Sequence, residues 1–381
     1  MKVTVHDSMS TIARDEWNRL AGNDYPFLRH EFLALGEKTT CVTPDQGWSP
    51  RHLTLVDSSG ALRAAMPLYE KSHSWGEFVF DWAWANAYEQ AGLKYYPKLV
   101  SAVPFTPAPS RRLLLRNPDD ADAAAALLQA AVTLASETAC SSLHVLFPAS
   151  EDLPHLERAG LLLRKDCQFH WHNGNYSCFD DFLATFTSAK RKKARRDRRR
   201  VAESGIRFRR LRGADLDAAA WSVIYPLISR TFEIRGGLPY FNEAFFSGLS
   251  EQLPEGILVI LAEAHETPVA AAVFFESDTH LYGRYWGCDG HYDALHFETC
   301  YYQGIDYCIE SGKQVFEPGT QGEHKISRGF SPVSTWSAHW LAHPQFSTAI
   351  ERYLDEEGRH VDRYIDAVHS HTPYKKPVIL P

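Results

Sequence analysis

The chain has 381 residues, a hydrophobic share of 44% and a formal net charge of −7. That length predicts two domains, the hydrophobic share excludes a disordered chain, and no stretch approaches the roughly 20 apolar residues of a membrane span. Seven scattered cysteines without a CxxC pair argue against a disulfide framework and for a reducing compartment; the opening Met1–Asp7 lacks the apolar core of a signal peptide, so a cytoplasmic location is expected.

The first half reads as mixed α and β. Lys2 to His6 alternates like a strand, and Ala13 to Ala21 and Arg29 to Glu37 have helical spacing. Arg51 to Val56 and Leu62 to Tyr69 flank Asp57-Ser58-Ser59-Gly60, a hairpin signal. Asp119 to Ala139 is rich in Ala and Leu and follows Asn117-Pro118, which predicts a helix. Leu143 to Phe147 is a short apolar strand. Between hairpin and helix, Phe80, Trp82, Trp84, Tyr88, Tyr95 and Tyr96 precede a rigid Pro-rich segment, Val103 to Pro109. These aromatics are either core and loop packing or the wall of a substrate groove.

The second half opens on a predicted long helix, Phe179 to Ser204, and the boundary is placed near Cys178, giving domains 1–178 and 179–381. Within the helix, Lys190 to Arg200 holds nine basic residues and one acid. So many cations on about four turns repel one another, which makes a polyanion an attractive partner. Lys190, Lys192, Lys193, Arg195, Arg196 and Arg199 are the residues expected to meet it, on a tRNA backbone, a nucleotide pyrophosphate or anionic lipid headgroups. The alternative is a solvated helix. No base-reading motif accompanies the run, so sequence-specific DNA binding is not expected. A strand (Ile206 to Leu211), helices (Asp215 to Phe232, Asn242 to Leu253), three strands (Ile257 to Glu263, Val269 to Glu276, Leu281 to Trp286), a helix (His296 to Ser311) and a strand (Gln314 to Phe316) follow.

Site chemistry concentrates near the end of that series. Gly319 and Gly322 permit close backbone approach, and the turn they frame carries Gln321, Glu323, His324, Lys325 and Arg328. A histidine titrates near neutrality, a buried glutamate can be raised to do so, and Lys and Arg hold phosphate or carboxylate. The competing account is a charged surface turn. Glu298, just after His296, is either a helix-dipole acid or a catalytic one. Arg284 lies in an aromatic strand, where a lone charge is costly, so it needs a partner such as Glu298 or the substrate; Trp286 beside it reads as wall. Tyr301 and Tyr302 could lend a hydroxyl or simply pack. No metal site is expected: His170-x-His172 places two imidazoles on one strand face, but a third ligand is not visible.

Two blocks give the sequence a family likeness. Lys193-Ala194-Arg195-Arg196 with Ala202-Glu203-Ser204-Gly205-Ile206 resembles the basic helix that opens the second domain of Fem-type aminoacyltransferases. Gly319 to Phe330 resembles the Fem signature of a basic residue followed by Gly-Phe. Tyr285-Trp286-Gly287-Cys288, His296-Phe297-Glu298 and Cys300-Tyr301-Tyr302-Gln303 extend the likeness to Fem-like predicted N-acyltransferases of the GNAT superfamily.

The resemblance implies an α/β (α+β) fold of two tandem GNAT-like domains, each a mixed, largely antiparallel sheet flanked by helices. It implies transfer of an acyl or aminoacyl group to an amine acceptor such as a cell-wall precursor. Acyl-CoA or aminoacyl-tRNA would be the co-substrate, with no tightly bound cofactor. The chain lacks a Gln/Arg-x-x-Gly-x-Gly/Ala pyrophosphate loop, so both donors stay open. On this reading His324, Glu323 and Glu298 are the expected catalytic residues, and Gln321, Lys325, Arg328, Arg284, Trp286, Tyr302 and His296 the expected substrate contacts. The reading requires the His324 turn to line the same cleft as the helix beginning near His296. A non-catalytic RNA- or envelope-binding module and a metal hydrolase are the competing functions.

Overall fold

The computed structural model describes residues 2–320 and 322–375. The chain divides into two compact units: unit 1 is Met1–Cys167 with Ser334–Arg363, and unit 2 is Gln168–Val333 with Tyr364–Pro381. The sequence places the boundary near Cys178; the division by packing falls eleven residues earlier, after Cys167, and returns a C-terminal segment to unit 1.

Unit 1 begins with β1 (Lys2–His6), α1 (Arg14–Ala21) and α2 (His30–Lys38). The strands β2 (Trp48–Pro50), β3 (His52–Val56), β4 (Leu62–Met66) and β5 (Tyr69–Lys71) follow. Next come α3 (Trp82–Gln90), β6 (Lys98–Ser101), β7 (Leu114–Leu115), α4 (Ala121–Glu137), β8 (Ser142–Leu146) and α5 (Leu153–Arg158). The expected hairpin forms as β3–β4, and its second arm breaks after Met66 so that β5 joins a different sheet. One sheet has the order β1-β3-β4-β7. The helix α4 lies on it because Ala123, Ala124, Ala131 and Ala135 are small enough for close approach, and Leu127 and Leu128 fill the interface with Leu53, Leu55 and Met66. Asp120 caps α4 by accepting from the Ala123 amide at 3.1 Å.

The strand β9 (Leu162–His172) leads into unit 2. The single helix expected over Phe179 to Ser204 is two: α6 (Phe179–Ala184) and α7 (Ser188–Glu203). The break falls where Phe182 and Phe186 turn into a buried aromatic cluster, so tertiary packing overrides the uninterrupted helical propensity. Then come β10 (Ile206–Arg212), α8 (Ala218–Glu233), α9 (Glu243–Gln252), β11 (Ile257–Ala264), β12 (Thr267–Glu276) and β13 (His280–Cys288). The helix expected over His296 to Ser311 is interrupted: α10 (Leu295–Phe297) and α11 (Gln303–Ser311) are joined by a π-helical turn, Glu298–Tyr302. After β14 (Val315–Glu317), a short 3₁₀ turn (Glu323–Arg328) leads to β15 (Ser331–Leu341) and α12 (Pro344–His369).

Strand order in unit 2 is β10-β11-β12-β13-β14-β9. All neighbours are antiparallel except β13 and β14. Gly287 marks the closest helix–sheet approach: a Cβ there would lie 1.7 Å from the Leu227 carbonyl oxygen, so α8 can sit on β13 only over a glycine. The protein is thus a mixed α/β fold with largely antiparallel sheets flanked by helices. Among the described residues no helix is long and apolar enough to cross a membrane.

Candidate active site

The site is built on a fork in the unit 2 sheet. The parallel strands β13 and β14 pair only from His280 to Tyr282, opposite Val315 to Glu317. Beyond that point β13 continues along β12 to Cys288, while the chain leaves β14 through Pro318 and Gly319. At the same level β13 bulges: Val273 faces Tyr285 and Phe274 faces Gly283, which leaves Arg284 as the extra residue. A bulge re-aims the side chain it carries, and Arg284 turns inward to 3.9 Å from the Glu317 carboxylate, both side chains about 5% exposed.

The glycine-framed turn supplies the second cation. Lys325 is 1% exposed and its ammonium donates to the Gly319 carbonyl at 2.6 Å. Burial, reinforced by the Arg284 charge, lowers its pKa to about 7. Burial likewise raises Glu317 to about 8, against the pull of Arg284. At neutral pH Glu317 is therefore largely protonated, and the fork carries net positive charge. Arg328, also buried, lies with its guanidinium 3.4 Å from the centre of the Phe297 ring and donates to the His324 carbonyl at 2.6 Å. This ties the Arg328 side chain back to the start of its own 3₁₀ segment.

His324 and the helix starting near His296 do share one cluster. The Tyr301 hydroxyl and His324 Nε2 are 2.8 Å apart. The His324 ring lies 6.2 Å from that of His296 and 5.8 Å from that of Phe297. Gly322 is required by this arrangement, since its φ is +115° and a Cβ would stand 2.2 Å from the His324 ring. Burial and the charges of Arg328 and Lys325 lower the His324 pKa. Burial lowers His296 to about 4, helped by His324. Both imidazoles are neutral at pH 7, and His324, on the exposed side of the turn, is the one able to take a proton from a ligand. The Trp286 ring lies 5.3 Å from that of His296, tilted by 60°.

The π turn decides which helix residues point inward. One extra residue per turn buries Glu298, Thr299, Tyr301 and Tyr302 together. Glu298 accepts from Arg198 at 3.2 Å and Gln303 at 2.8 Å, and Arg198 also reaches Asp306 at 3.1 Å. Burial raises the Glu298 pKa, and its second oxygen has no partner among the described residues. Glu298 is thus held in an ion-pair network with α7 rather than hydrogen-bonded to His324.

Other expected residues stand differently. Glu323 is exposed and accepts from Tyr364 at 2.9 Å, outside the buried cluster. Tyr302 packs edge-on against Phe179 at 5.9 Å, so Tyr301 and not Tyr302 meets His324. Gln321 lies outside the described residues. On α7, Lys192, Lys193, Arg195, Arg196 and Arg199 are exposed and Lys190 half-buried. Arg195 pairs with Asp180 and Arg199 with Glu203. Lys192, Lys193 and Arg196 have no carboxylate partner among the described residues, whereas Arg209, Arg210 and Arg212 on the neighbouring edge strand β10 all do. His170 meets Gln168 at 3.2 Å, and no group of metal-ligating side chains surrounds it among the described residues.

Sequence reading missed Arg198, Glu317, Asp306 and the dominance of Tyr301. A signal for Arg198 was present: Ala194, Asp197 and Val201 form the buried stripe of α7, and Arg198 borders it.

A pair of parallel strands that splay apart within a largely antiparallel, helix-flanked sheet is a GNAT-like arrangement. The chain belongs to the FemAB-like family, described as peptidoglycan biosynthesis/recognition, which it matches over residues 8–376, and membership supports a transferase role. The crystal structure of FemX is similar at a TM-score of 0.55 and 12% identity, covering 92% of this chain and 100% of that one. The C-terminal domain of a putative lysylphosphatidylglycerol synthetase from Agrobacterium fabrum has a TM-score of 0.56 at 9% identity, covering 89% and 95%. A conserved protein of unknown function from Bacteroides thetaiotaomicron gives 0.53 at 10%, covering 89% and 99%. At these identities the likeness is one of fold. No curated protein matches the sequence significantly.

Proposed function

We propose that the protein is an N-acyltransferase that moves an acyl or aminoacyl group from an activated donor to an amine in the unit 2 fork. The observation that carries this reading is Lys325, buried beside Arg284 where β13 and β14 part. Acyl transfer to an amine needs a placed carbonyl, a donor for the oxyanion and an acceptor for the amine proton. The protonated Lys325 stabilises the negative charge that develops on the carbonyl oxygen. The neutral His324, held by Tyr301, accepts the proton as the amine nitrogen attacks; the donor's acyl C–O or C–S bond then breaks, and the carrier leaves as an alcohol or thiol by taking a proton from the His324 imidazolium or from water. Trp286 and His296 wall the acyl group. Glu298 acts through Arg198 and the π turn and is a positioning residue.

The donor is a co-substrate, and no tightly held cofactor is required. Lys192, Lys193 and Arg196, without a carboxylate partner among the described residues, favour a donor with a polyanionic carrier, aminoacyl-tRNA, over acyl-CoA. They equally suit the non-catalytic RNA-binding reading, which the same experiment addresses. Peptidoglycan biosynthesis, the family description, points to a cell-wall precursor as the amine acceptor. The seven cysteines are all free, which fits a cytoplasmic setting. The test is single-turnover transfer from aminoacyl-tRNA and from acyl-CoA to an amine-bearing cell-wall precursor. The wild type should turn over one donor and Lys325→Met should not. Equal turnover by Lys325→Met and His324→Ala would remove the site, and donor binding without turnover by the wild type would favour the binding module.

A further inference from the structure

Unit 1 buries four charged side chains together. Trp48 and Lys71 are partners across β2 and β5, and Lys71 and Lys98 across β5 and β6. Directly opposed residues share a sheet face, so all three rise from one side. The segment after β5 covers them. Lys98 donates to Asp81, to Glu77 at 2.8 Å and to Ser74 at 2.8 Å, which uses all three of its hydrogens.

Lys71 is not satisfied in this way. It is 0% exposed and lies 3.6 Å above the Trp48 ring, and its one hydrogen bond goes to the Trp75 carbonyl at 3.2 Å. Glu77 Oε1, Asp81 Oδ1 and Trp48 Nε1 are buried without a partner among the described residues. Left-over donors and left-over acceptors are therefore gathered in one place, where unmade hydrogen bonds are costly. Burial lowers Lys71 to about 7 and raises Glu77 to about 7, so both can adopt the charge a guest demands. The surface is one residue away. Trp75, whose carbonyl holds Lys71, is 67% exposed and meets Trp82, 39% exposed, edge-on at 5.6 Å.

We propose that this cluster is a binding site for a small zwitterion, a free α-amino acid. Its carboxylate would take the spare hydrogens of Lys71 and Trp48 Nε1, and its ammonium the spare oxygens of Glu77 and Asp81. Two ammonium groups and two carboxylates balance, so a net-neutral guest with both charges fits where an anion or a cation alone would leave one set unpaired. This site stands independently of the transfer chemistry assigned to unit 2.

The test is calorimetric titration of the full chain with each proteinogenic L-amino acid, followed by the amide and the N-acetyl derivative of any that binds. We expect at least one to bind, with affinity falling about tenfold or more on capping either end, and the Lys71→Met and Glu77→Gln variants to lose the corresponding preference. Because those buried variants could unfold, Trp75→Ala, at the exposed residue whose carbonyl holds Lys71, provides a second measurement and should weaken binding in a protein of unchanged Tm. No binding by any amino acid up to roughly 10 mM, or equal binding of both capped derivatives, would overturn the proposal. So would a soaked crystal in which ordered waters fill the leftover bonds unchanged.

Discussion

The two units each bury a cluster of charges, and the clusters differ in how they are balanced. In unit 1, Lys71 and Lys98 face Glu77 and Asp81, and Lys98 is completely paired. In unit 2, Arg284, Lys325 and Arg328 are all buried: Glu317 lies 3.9 Å from Arg284 alone and burial pushes it toward its neutral form, while Lys325 and Arg328 bond to the Gly319 and His324 carbonyls. Buried charge without compensation is expensive, and proteins retain it where a ligand or a transition state supplies the missing sign. The cation excess in the fork therefore suits developing negative charge, while the balanced cluster of unit 1 suits a guest with no net charge.

Breaking the unit 2 cluster should have the largest effect. Lys325→Met should lower kcat about 100-fold or more, the scale of losing one oxyanion donor. Its Tm should hold or rise, since a buried charge is removed. A joint fall of rate and Tm would make Lys325 structural instead. Next, Arg198→Ala leaves Glu298 and Asp306 without their shared partner. It should cost about 2 kcal/mol in urea unfolding, with activity lost in proportion to the distortion of the π turn.

The pH profile sharpens the contrast further. His324 is lowered below its ordinary value and serves as base once deprotonated, so the rate should climb at acid pH as His324 loses its proton. Lys325 serves as cation and loses its proton near pH 7, so the rate should fall above that. The result is a narrow bell. Lys325→Arg should abolish the alkaline limb, because a guanidinium does not titrate there; an unchanged limb would assign it to another group. The smallest effect is expected from Lys192, Lys193 and Arg196 changed together to Gln. With a tRNA-linked donor this should weaken binding and reduce the salt slope by about 2–3, with no change in Tm. An unaltered slope would leave the cationic face of α7 as solvated surface.

Much of the frame was legible. The Ala-rich helix α4, the hairpin β3–β4 and the strand series of unit 2 follow from periodicity and turn chemistry, which depend on near neighbours in the chain. The His324 turn was legible for a similar reason: glycines flanking a dense set of ionisable residues mark a close backbone approach. Tyr301 and Tyr302 could not be separated from the sequence, because a regular helix and a helix with a π turn present different residues of the same Cys300-Tyr301-Tyr302-Gln303 string.

By itself, then, the sequence determined the mixed α/β class, the cationic helix and the position of the ionisable turn. Only the tertiary structure decided that Arg284 is a bulge residue aimed into a strand fork, that Lys325 is buried and Glu323 is not, and that Arg198 faces inward. Local conformation is set by interactions a few residues apart, whereas the burial and pairing of a charge depend on which distant segments the fold brings against it. The ionisation state of a site is therefore settled last.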